Sequence, residues 1–205
     1  MHGRLIPIAL AIGSLAASRA EAANLITNGG FDDAGSYLTG WLNVGVDESW
    51  AADDADGAPD SGSVEIKNPH GDTFTEFIYF CVPVEGGASY SYGAKQKTLS
   101  GQTATGEARL VLFFSSDSNC SDSLASAQTT STAVGDWTSL QDSAQAPPDA
   151  LGARLLLLVS KVSGGSANDL TVRFDDAFIV PEPGAAALQL SAALALGVLW
   201  RRGSA

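Results

Sequence analysis

Between residues 23 and 180 the sequence alternates short β-prone segments with turn signals, and this pattern constrains the fold more than any other feature. The segments are rich in β-branched and aromatic residues, and Gly-Gly, Asn-Gly, Pro-Asp and Ser-Gly clusters separate many of them. No apolar repeat of helical period runs through this region. We therefore predict an all-β jelly-roll sandwich of eight or nine strands. The predicted strands are Leu25–Thr27, Trp41–Val44, Ser63–Lys67, Thr75–Val82, Ser89–Lys97, Arg109–Ser115, Thr138–Ser143, Ala153–Ser160 and Thr171–Val180.

Two of these strands, Arg109–Ser115 and Ala153–Ser160, carry apolar residues on both faces. An antiparallel strand with one solvated face should alternate apolar with polar residues. Both strands are therefore expected to be central, with outer faces that either lie under a loop or terminal strand or form a ligand groove. Ser89–Lys97 alternates cleanly, and its Tyr90 and Tyr92 belong either to the core or to an exposed aromatic platform.

The first 22 residues are typical of a secretory signal peptide. Arg4 supplies positive charge, Leu5–Leu15 forms an apolar core, and Ala20-Glu21-Ala22 is a small-x-small cleavage site. The sequence therefore predicts export through the inner membrane. Residues 23–180 remain as one domain, which is long enough to bury its own core.

Residues 181–205 form a second targeting segment. Pro181-Glu182-Pro183 should end the last strand, because proline lacks an amide donor, and an apolar run over 184–200 then leads to two arginines. The run is near the short limit for a membrane-spanning helix, and the arginines would stay cytoplasmic. This arrangement resembles the PEP-CTERM sorting signal of Gram-negative bacteria. The resemblance implies an exosortase-type processing enzyme as partner, a transient membrane anchor, and a final location at the cell surface or outside the cell. The alternative is a plain C-terminal anchor or a buried helix.

Charge and cysteine content restrict the partners and the compartment. The chain has a formal net charge of −12 at pH 7 and no apparent basic patch. Such a surface repels phosphate backbones, so nucleic acid is not an expected partner. Cys81 and Cys120 are an even number of cysteines in a chain expected in an oxidising compartment, which favours a disulfide over two free thiols.

Several motifs line up along the domain in a fixed order. It opens with Asn24-Leu25-Ile26-Thr27-Asn28-Gly29-Gly30-Phe31-Asp32, continues through Gly40-Trp41, Cys81–Tyr90 and Trp137–Leu140, and closes with Val172–Val180. Together these segments resemble the jelly-roll carbohydrate-binding-module superfamily, also called galactose-binding-domain-like. The resemblance implies that the opening segment pairs with the closing strand, that a structural calcium ion ties the two together, and that a polysaccharide is a partner.

The implied calcium ligands are all oxygen atoms, which Ca²⁺ prefers. They are the carbonyls of Gly30 and Ser63 and the carboxylates of Asp32, Asp60 and Asp175. The alternative is that the aspartates cap turns and accept hydrogen bonds from backbone amides. The acidic run over 53–57 lacks EF-hand ligands at the required positions, so we interpret it as a solvated loop.

The residues favour binding over catalysis. The sequence has no Gly-x-Ser-x-Gly elbow, phosphate loop or His/Cys metal spacing, and Asp175 and Asp176 are adjacent on a strand, so they cannot flank one glycosidic bond. Aromatic rings offer flat apolar faces to sugars, and the candidates are Trp50, Phe74, Tyr79, Tyr90 and Tyr92. We predict an exported, non-catalytic, glycan-binding protein of the cell surface or matrix. The alternative is a structural matrix protein without a specific sugar ligand.

Overall fold

The computed structural model describes residues 22–43 and 46–183, and its strands form two five-stranded antiparallel sheets. The strands are β1 (Trp41–Asn43), β2 (Asp47–Ala51), β3 (Ser63–Asn68), β4 (Thr75–Pro83), β5 (Ser89–Thr98), β6 (Thr105–Ser115), β7 (Ala125–Ser131), β8 (Thr138–Gln145), β9 (Gly152–Ser163) and β10 (Leu170–Pro181). Sheet A has the order β1-β4-β9-β6-β7, and sheet B has the order β2-β3-β10-β5-β8. The predicted all-β sandwich is confirmed.

Two strands of the structure were not predicted from the sequence. β2 and β7 are edge strands made largely of polar or small residues, so neither shows the apolar alternation that indicates a half-buried strand. In the other direction, Leu25–Thr27 is not a strand. Its Leu25 amide nevertheless donates to the Ile179 carbonyl at 2.8 Å, so this segment lies against β10.

The closing strand ends one residue beyond the predicted Val180. Pro181 is the last residue of β10 and lies opposite Tyr90 of β5. Next to it, the Glu182 amide donates to the Ser89 carbonyl at 2.8 Å. Because Glu182 supplies the hydrogen bond to β5 here, the strand does not need an N–H at Pro181. The expectation that the proline segment ends the last strand is confirmed to within one residue.

The core lies between the inner faces of the two sheets. Side chains that are fully buried there come from both sheets and include Ile78, Leu110, Leu112, Leu155, Leu157, Val64, Ile66, Val172 and Phe174. Tyr90 and Tyr92 are 3% and 0% exposed and belong to the same core. The platform interpretation of these two tyrosines is wrong, because the alternation of β5 turns both rings toward sheet A.

The opening segment is joined to the closing strand by a set of hydrogen bonds. Asn24 Nδ2 donates to Ala177 O, while its Oδ1 accepts from the Ile179 amide, each at 3.0 Å. The Ala177 amide donates to the Gly29 carbonyl at 2.9 Å. A Cβ at Gly29 would lie 1.9 Å from Ala177 O, so only glycine allows this approach. A β-bulge follows Asp175, where Asp176 has a φ of 50° and β10 locally loses register with β5.

The predicted disulfide between Cys81 and Cys120 is present, and it ties β4 to the loop between β6 and β7. Within residues 22–43 and 46–183, no helix is long and apolar enough to cross a membrane. Residues 1–21 of the predicted signal peptide, the apolar run over 184–200 and the two arginines after it lie outside the residues that the structure describes.

Candidate functional site

The outer face of sheet A is apolar where a solvent-facing sheet usually carries polar residues. The strand register aligns one row of outward side chains across all five strands: Leu42, Tyr79, Leu156, Val111 and Gln128. This row results from the consecutive apolar residues of β6 and β9, which point alternately into the core and outward.

Two further rows flank the first one. The row on one side contains Phe77, Leu158, Arg109 and Thr130, and the row on the other contains Cys81, Arg154, Phe113 and Ser126. Val111, Leu156 and Leu158 form a cluster at the centre, each 7% exposed. We call the three rings Phe77, Tyr79 and Phe113, together with this cluster, the aromatic face.

The aromatic face is built within one sheet. The partly buried hydrophobic side chains that pack against the central cluster are Phe77, Tyr79 and Phe113, all of them from β4 and β6. In the described part of the chain, no loop adds a hydrophobic side chain to this cluster. Of the two possibilities for the double-sided strands, apolar cover by a loop or terminal strand is therefore not supported within the described residues.

Two arginines supply the polar groups of this face. The Arg154 guanidinium lies 5.0 Å from the ring centroid of Phe113, and its Nη1 donates to the Cys120 carbonyl at 3.2 Å. Arg109 is ion-paired with Glu107. The Nε atoms of both arginines are buried and have no hydrogen-bond partner among the described residues. A buried donor without a partner costs about 1–3 kcal/mol, so placing these two arginines in the sheet carries an energetic cost.

Only one of the five predicted sugar-stacking residues lies on the aromatic face, namely Tyr79. Phe74 is 48% exposed but sits in the loop between β3 and β4, where its ring lies 4.3 Å from that of His70. Trp50 is a packing residue, because its Nε1 donates to the Phe31 carbonyl at 2.9 Å and its ring covers Gly62.

Sequence reasoning missed Phe77 and Phe113. The signal was present, since Phe77 precedes Tyr79 by two residues and therefore shares its face of β4. Phe113 stands at the same spacing after Val111 in β6. Their convergence depends on β9 lying between β4 and β6, which no local pattern shows.

The predicted calcium site centres on Asp175, which is 1% exposed. Its Oδ2 accepts a hydrogen bond from the Ala55 amide and its Oδ1 accepts one from the Asp176 amide, each at 2.8 Å. Burial raises the pKa of Asp175 to about 7, against the lowering effect of these two amides, and the nearby Asp176 and Asp54 raise it further. The site therefore holds a desolvated carboxylate among other carboxylates.

The other predicted ligands are placed as follows. Asp32 Oδ1 accepts from the Ser61 hydroxyl at 2.5 Å, and Gly30 lies directly beside this carboxylate. Ser63 is fully buried, and its hydroxyl donates to the Asp53 carbonyl at 2.7 Å. Asp60 is exposed in a turn with a φ of 65°. Over residues 22–43 and 46–183, no three His, Cys, Asp or Glu side chains have the arrangement of a metal site.

The acidic run over 53–57 is not a solvated loop. Asp53 Oδ2 accepts from Lys97 Nζ at 2.9 Å and from Arg173 Nη1 at 2.6 Å, and Asp56 pairs with Lys95 at 3.2 Å. These cations lie on β5 and β10, so the loop is held against the outer face of sheet B. The earlier interpretation is wrong because a strand pair supplies the counter-charges.

No protein-family model matches the chain. No curated protein sequence matches it either. Among solved structures it is similar to a family 16 carbohydrate-binding module, with 19% identity and a TM-score of 0.54 over 77% of this chain and 99% of that one. The CBM22-1 xylan-binding domain of Paenibacillus barcinonensis is similar at 16% identity and a TM-score of 0.54, over 80% and 98% of the two chains.

An enzymatically active domain of tailspike protein 4 from bacteriophage CBA120 is also similar, at 16% identity and a TM-score of 0.57 over 78% of this chain. The chain spans only 21% of that tailspike chain, whereas it spans nearly all of the two binding modules. At these identities the likeness concerns the fold. The fold is that of the jelly-roll sandwiches found in carbohydrate-binding modules.

Proposed function

We propose that the domain is a non-catalytic carbohydrate-binding module that holds a polysaccharide on the aromatic face. The observation that carries this proposal is the convergence of Phe77, Tyr79 and Phe113 on one sheet surface, with two guanidinium groups beside them. Rings supply flat apolar contact for sugar faces, and the arginines supply donors for hydroxyl groups.

The same face argues for binding without catalysis. Hydrolysis of a glycosidic bond usually requires two opposed carboxyl groups. Glu107 is the carboxylate that the described part of this face offers, and Arg109 is ion-paired with it. A sugar on this surface would meet rings, guanidinium groups, hydroxyls and an amide.

Binding is tested by affinity electrophoresis and titration calorimetry on residues 23–183 with a panel of plant and bacterial polysaccharides. Replacing Phe77, Tyr79 or Phe113 with Ala is expected to weaken retention about 10- to 100-fold, because each ring loses about 1.5–3 kcal/mol of apolar contact. Phe74→Ala is the matched control, since it removes an exposed ring outside the face. If no polymer retards the wild-type protein, the domain is instead a structural matrix protein without a sugar ligand.

We also propose that a structural calcium ion binds beside Asp175. The support is chemical, because the expected ligands are carboxylate and carbonyl oxygens, which Ca²⁺ prefers, and the buried Asp175 carboxylate has Asp176 and Asp54 near it. The other ligands of this proposed ion would be the carboxylates of Asp32 and Asp60 and the carbonyls of Gly30 and Ser63. An unchanged melting temperature after chelation and after calcium addition would rule the ion out.

Export and sorting complete the proposal. The N-terminal segment would direct the chain through the inner membrane, and Pro181, Glu182 and Pro183 would be recognised by an exosortase-type enzyme after transient anchoring of the apolar segment in the membrane. The mature protein would then remain at the cell surface or outside it. Mass spectrometry of both termini in a host with and without that enzyme tests this, and an intact C-terminus in both hosts contradicts the sorting step.

A further inference from the structure

Arg154 differs from the other cations of the domain in its charge environment. The part of the chain that the structure describes contains seven Lys and Arg residues. Five of them lie within 4 Å of a carboxylate oxygen: Lys67, Lys95, Lys97, Arg109 and Arg173. Lys161 is buried and donates to three backbone carbonyls. Lys161 and Arg154 are therefore the two described cations without a carboxylate within 4 Å, and of these two only Arg154 is partly exposed.

Asp117 and Asp122 are the acidic residues nearest in sequence to Cys120, whose carbonyl accepts a hydrogen bond from Arg154. Their carboxylates accept hydrogen bonds within the same loop. Asp117 accepts from the Asn119 amide and from the hydroxyl and amide of Ser121, and Asp122 accepts from the amide and hydroxyl of Ser116. Both carboxylates therefore stabilise their own turn. Arg154 thus lies beside an apolar surface without a carboxylate within 4 Å among the described residues.

The guanidinium group is also held in place. It stacks on the Phe113 ring, and Nη1 is fixed by the carbonyl of Cys120, whose side chain is locked to β4 by the disulfide. Nε is buried and has no partner among the described residues. A planar cation that is ordered in advance can bind a carboxylate with a smaller loss of side-chain entropy.

We infer that the aromatic face selects an acidic polysaccharide, and that Arg154 is the specificity-determining residue that pairs with a uronic acid carboxylate. This inference rests on the proposed carbohydrate-binding function. A neutral sugar would cover an unpaired charge and remove its water, whereas a carboxylate replaces that water with an ion pair. The face thus discriminates against neutral polymers as well as favouring acidic ones.

The net charge of −12 acts against an acidic ligand over long distances. The Debye length is about 8 Å at physiological ionic strength, so carboxylates beyond that distance are largely screened. The acidic loop over 53–57 lies on the opposite face of the sandwich, against sheet B. The distance between the charges of a contact ion pair at Arg154 is much shorter than the Debye length. This attraction is therefore expected to outweigh the screened repulsion from distant carboxylates.

The test compares polygalacturonate with its methyl ester, which has the same backbone without the charge. Calorimetry on the wild-type protein is expected to show at least about tenfold tighter binding of the free acid. Arg154→Gln should abolish this preference by weakening binding of the free acid, and Arg154→Lys should restore part of it. Lys67→Gln is the matched control, because it removes a cation on sheet B and should alter neither affinity.

The possible outcomes distinguish failure of the inference about Arg154 from failure of the proposed carbohydrate-binding function. Equal affinity for the free acid and its ester overturns the role of Arg154 but leaves a neutral carbohydrate-binding module intact. No binding of any polymer overturns the proposed function itself. A sulfated galactan that binds as tightly as polygalacturonate overturns the assignment to a carboxylate. The comparison of the two polymers on wild-type protein does not depend on the folding of any variant.

Discussion

Asp175 offers the sharpest test of the energetics of this domain. Its carboxyl is 1% exposed, and burial raises its pKa to about 7 in the folded state, from 3.8 in the unfolded chain. The folded protein therefore binds the proton more tightly than the unfolded chain does. It follows that the free energy of unfolding falls as pH rises from about 4 to about 7, and levels off above that.

The size of this effect follows from the two pKa values. Ionised Asp175 lowers the free energy of unfolding by about 4 kcal/mol at pH 8 but only by about 2 kcal/mol at pH 5. Stability lost between these pH values is therefore about 2–3 kcal/mol. Asp175→Asn removes this pH dependence, because the amide does not titrate. Its NH₂ group would face one of the two backbone N–H donors, which lowers the free energy of unfolding by about 1–3 kcal/mol at every pH.

The assay is urea unfolding at pH 5, 6, 7 and 8 in the presence of a calcium chelator, on wild type and on Asp175→Asn. The exposed Asp149→Asn is the control and should keep the wild-type slope. Calcium bound at Asp175 would raise the stability of the wild type at pH 8 and leave Asp175→Asn unchanged. Parallel pH profiles for wild type and Asp175→Asn without calcium would refute the reasoning.

Three further changes probe the scaffold by urea unfolding. Replacing Cys81 and Cys120 with Ser, or adding reductant, should lower the free energy of unfolding by about 4 kcal/mol, because the cross-link closes a loop of some 40 residues; an unchanged midpoint would contradict a stabilising bond. Tyr92→Phe should raise it by about 1 kcal/mol, since the buried hydroxyl has no partner in the described part of the chain, and a loss of stability would reveal a partner. Gly29→Ala should cost about 3 kcal/mol, because its Cβ would strike a carbonyl of the closing strand, whereas the control Gly71→Ala meets open space; equal effects at both sites would argue against that close approach.

The residues that were predicted well are those whose pattern is local and strong. β6 and β9 carry apolar residues on both faces, and they lie inside sheet A as expected. β2 and β7 were missed because an edge strand of polar residues has no periodicity to detect. The end of β10 was predicted to within one residue, and the hydrogen bond from the Glu182 amide to β5 explains why Pro181 is tolerated as its last residue.

The candidate site was predicted only in part. Aromatic content identified Tyr79, but it also selected Tyr90, Tyr92 and Trp50, which the fold uses for packing. A ring on a strand points to one of two faces, and the strand alternation cannot say which face is the core. The face that packs against the opposing sheet becomes the core face, and the residues of that sheet are distant in sequence from the strand.

The amino-acid sequence alone determined the class of the fold and the disulfide, whereas the targeting signals at the two ends stay a prediction. Alternation, turn residues and cysteine number act locally or by count, so they can be read without coordinates. The tertiary structure decided which rings share the aromatic face and which charges find a counter-ion. Arg154 and Arg173 cannot be told apart in the sequence. Strand order gives Arg173 two carboxylates and leaves Arg154 with a carbonyl and a ring.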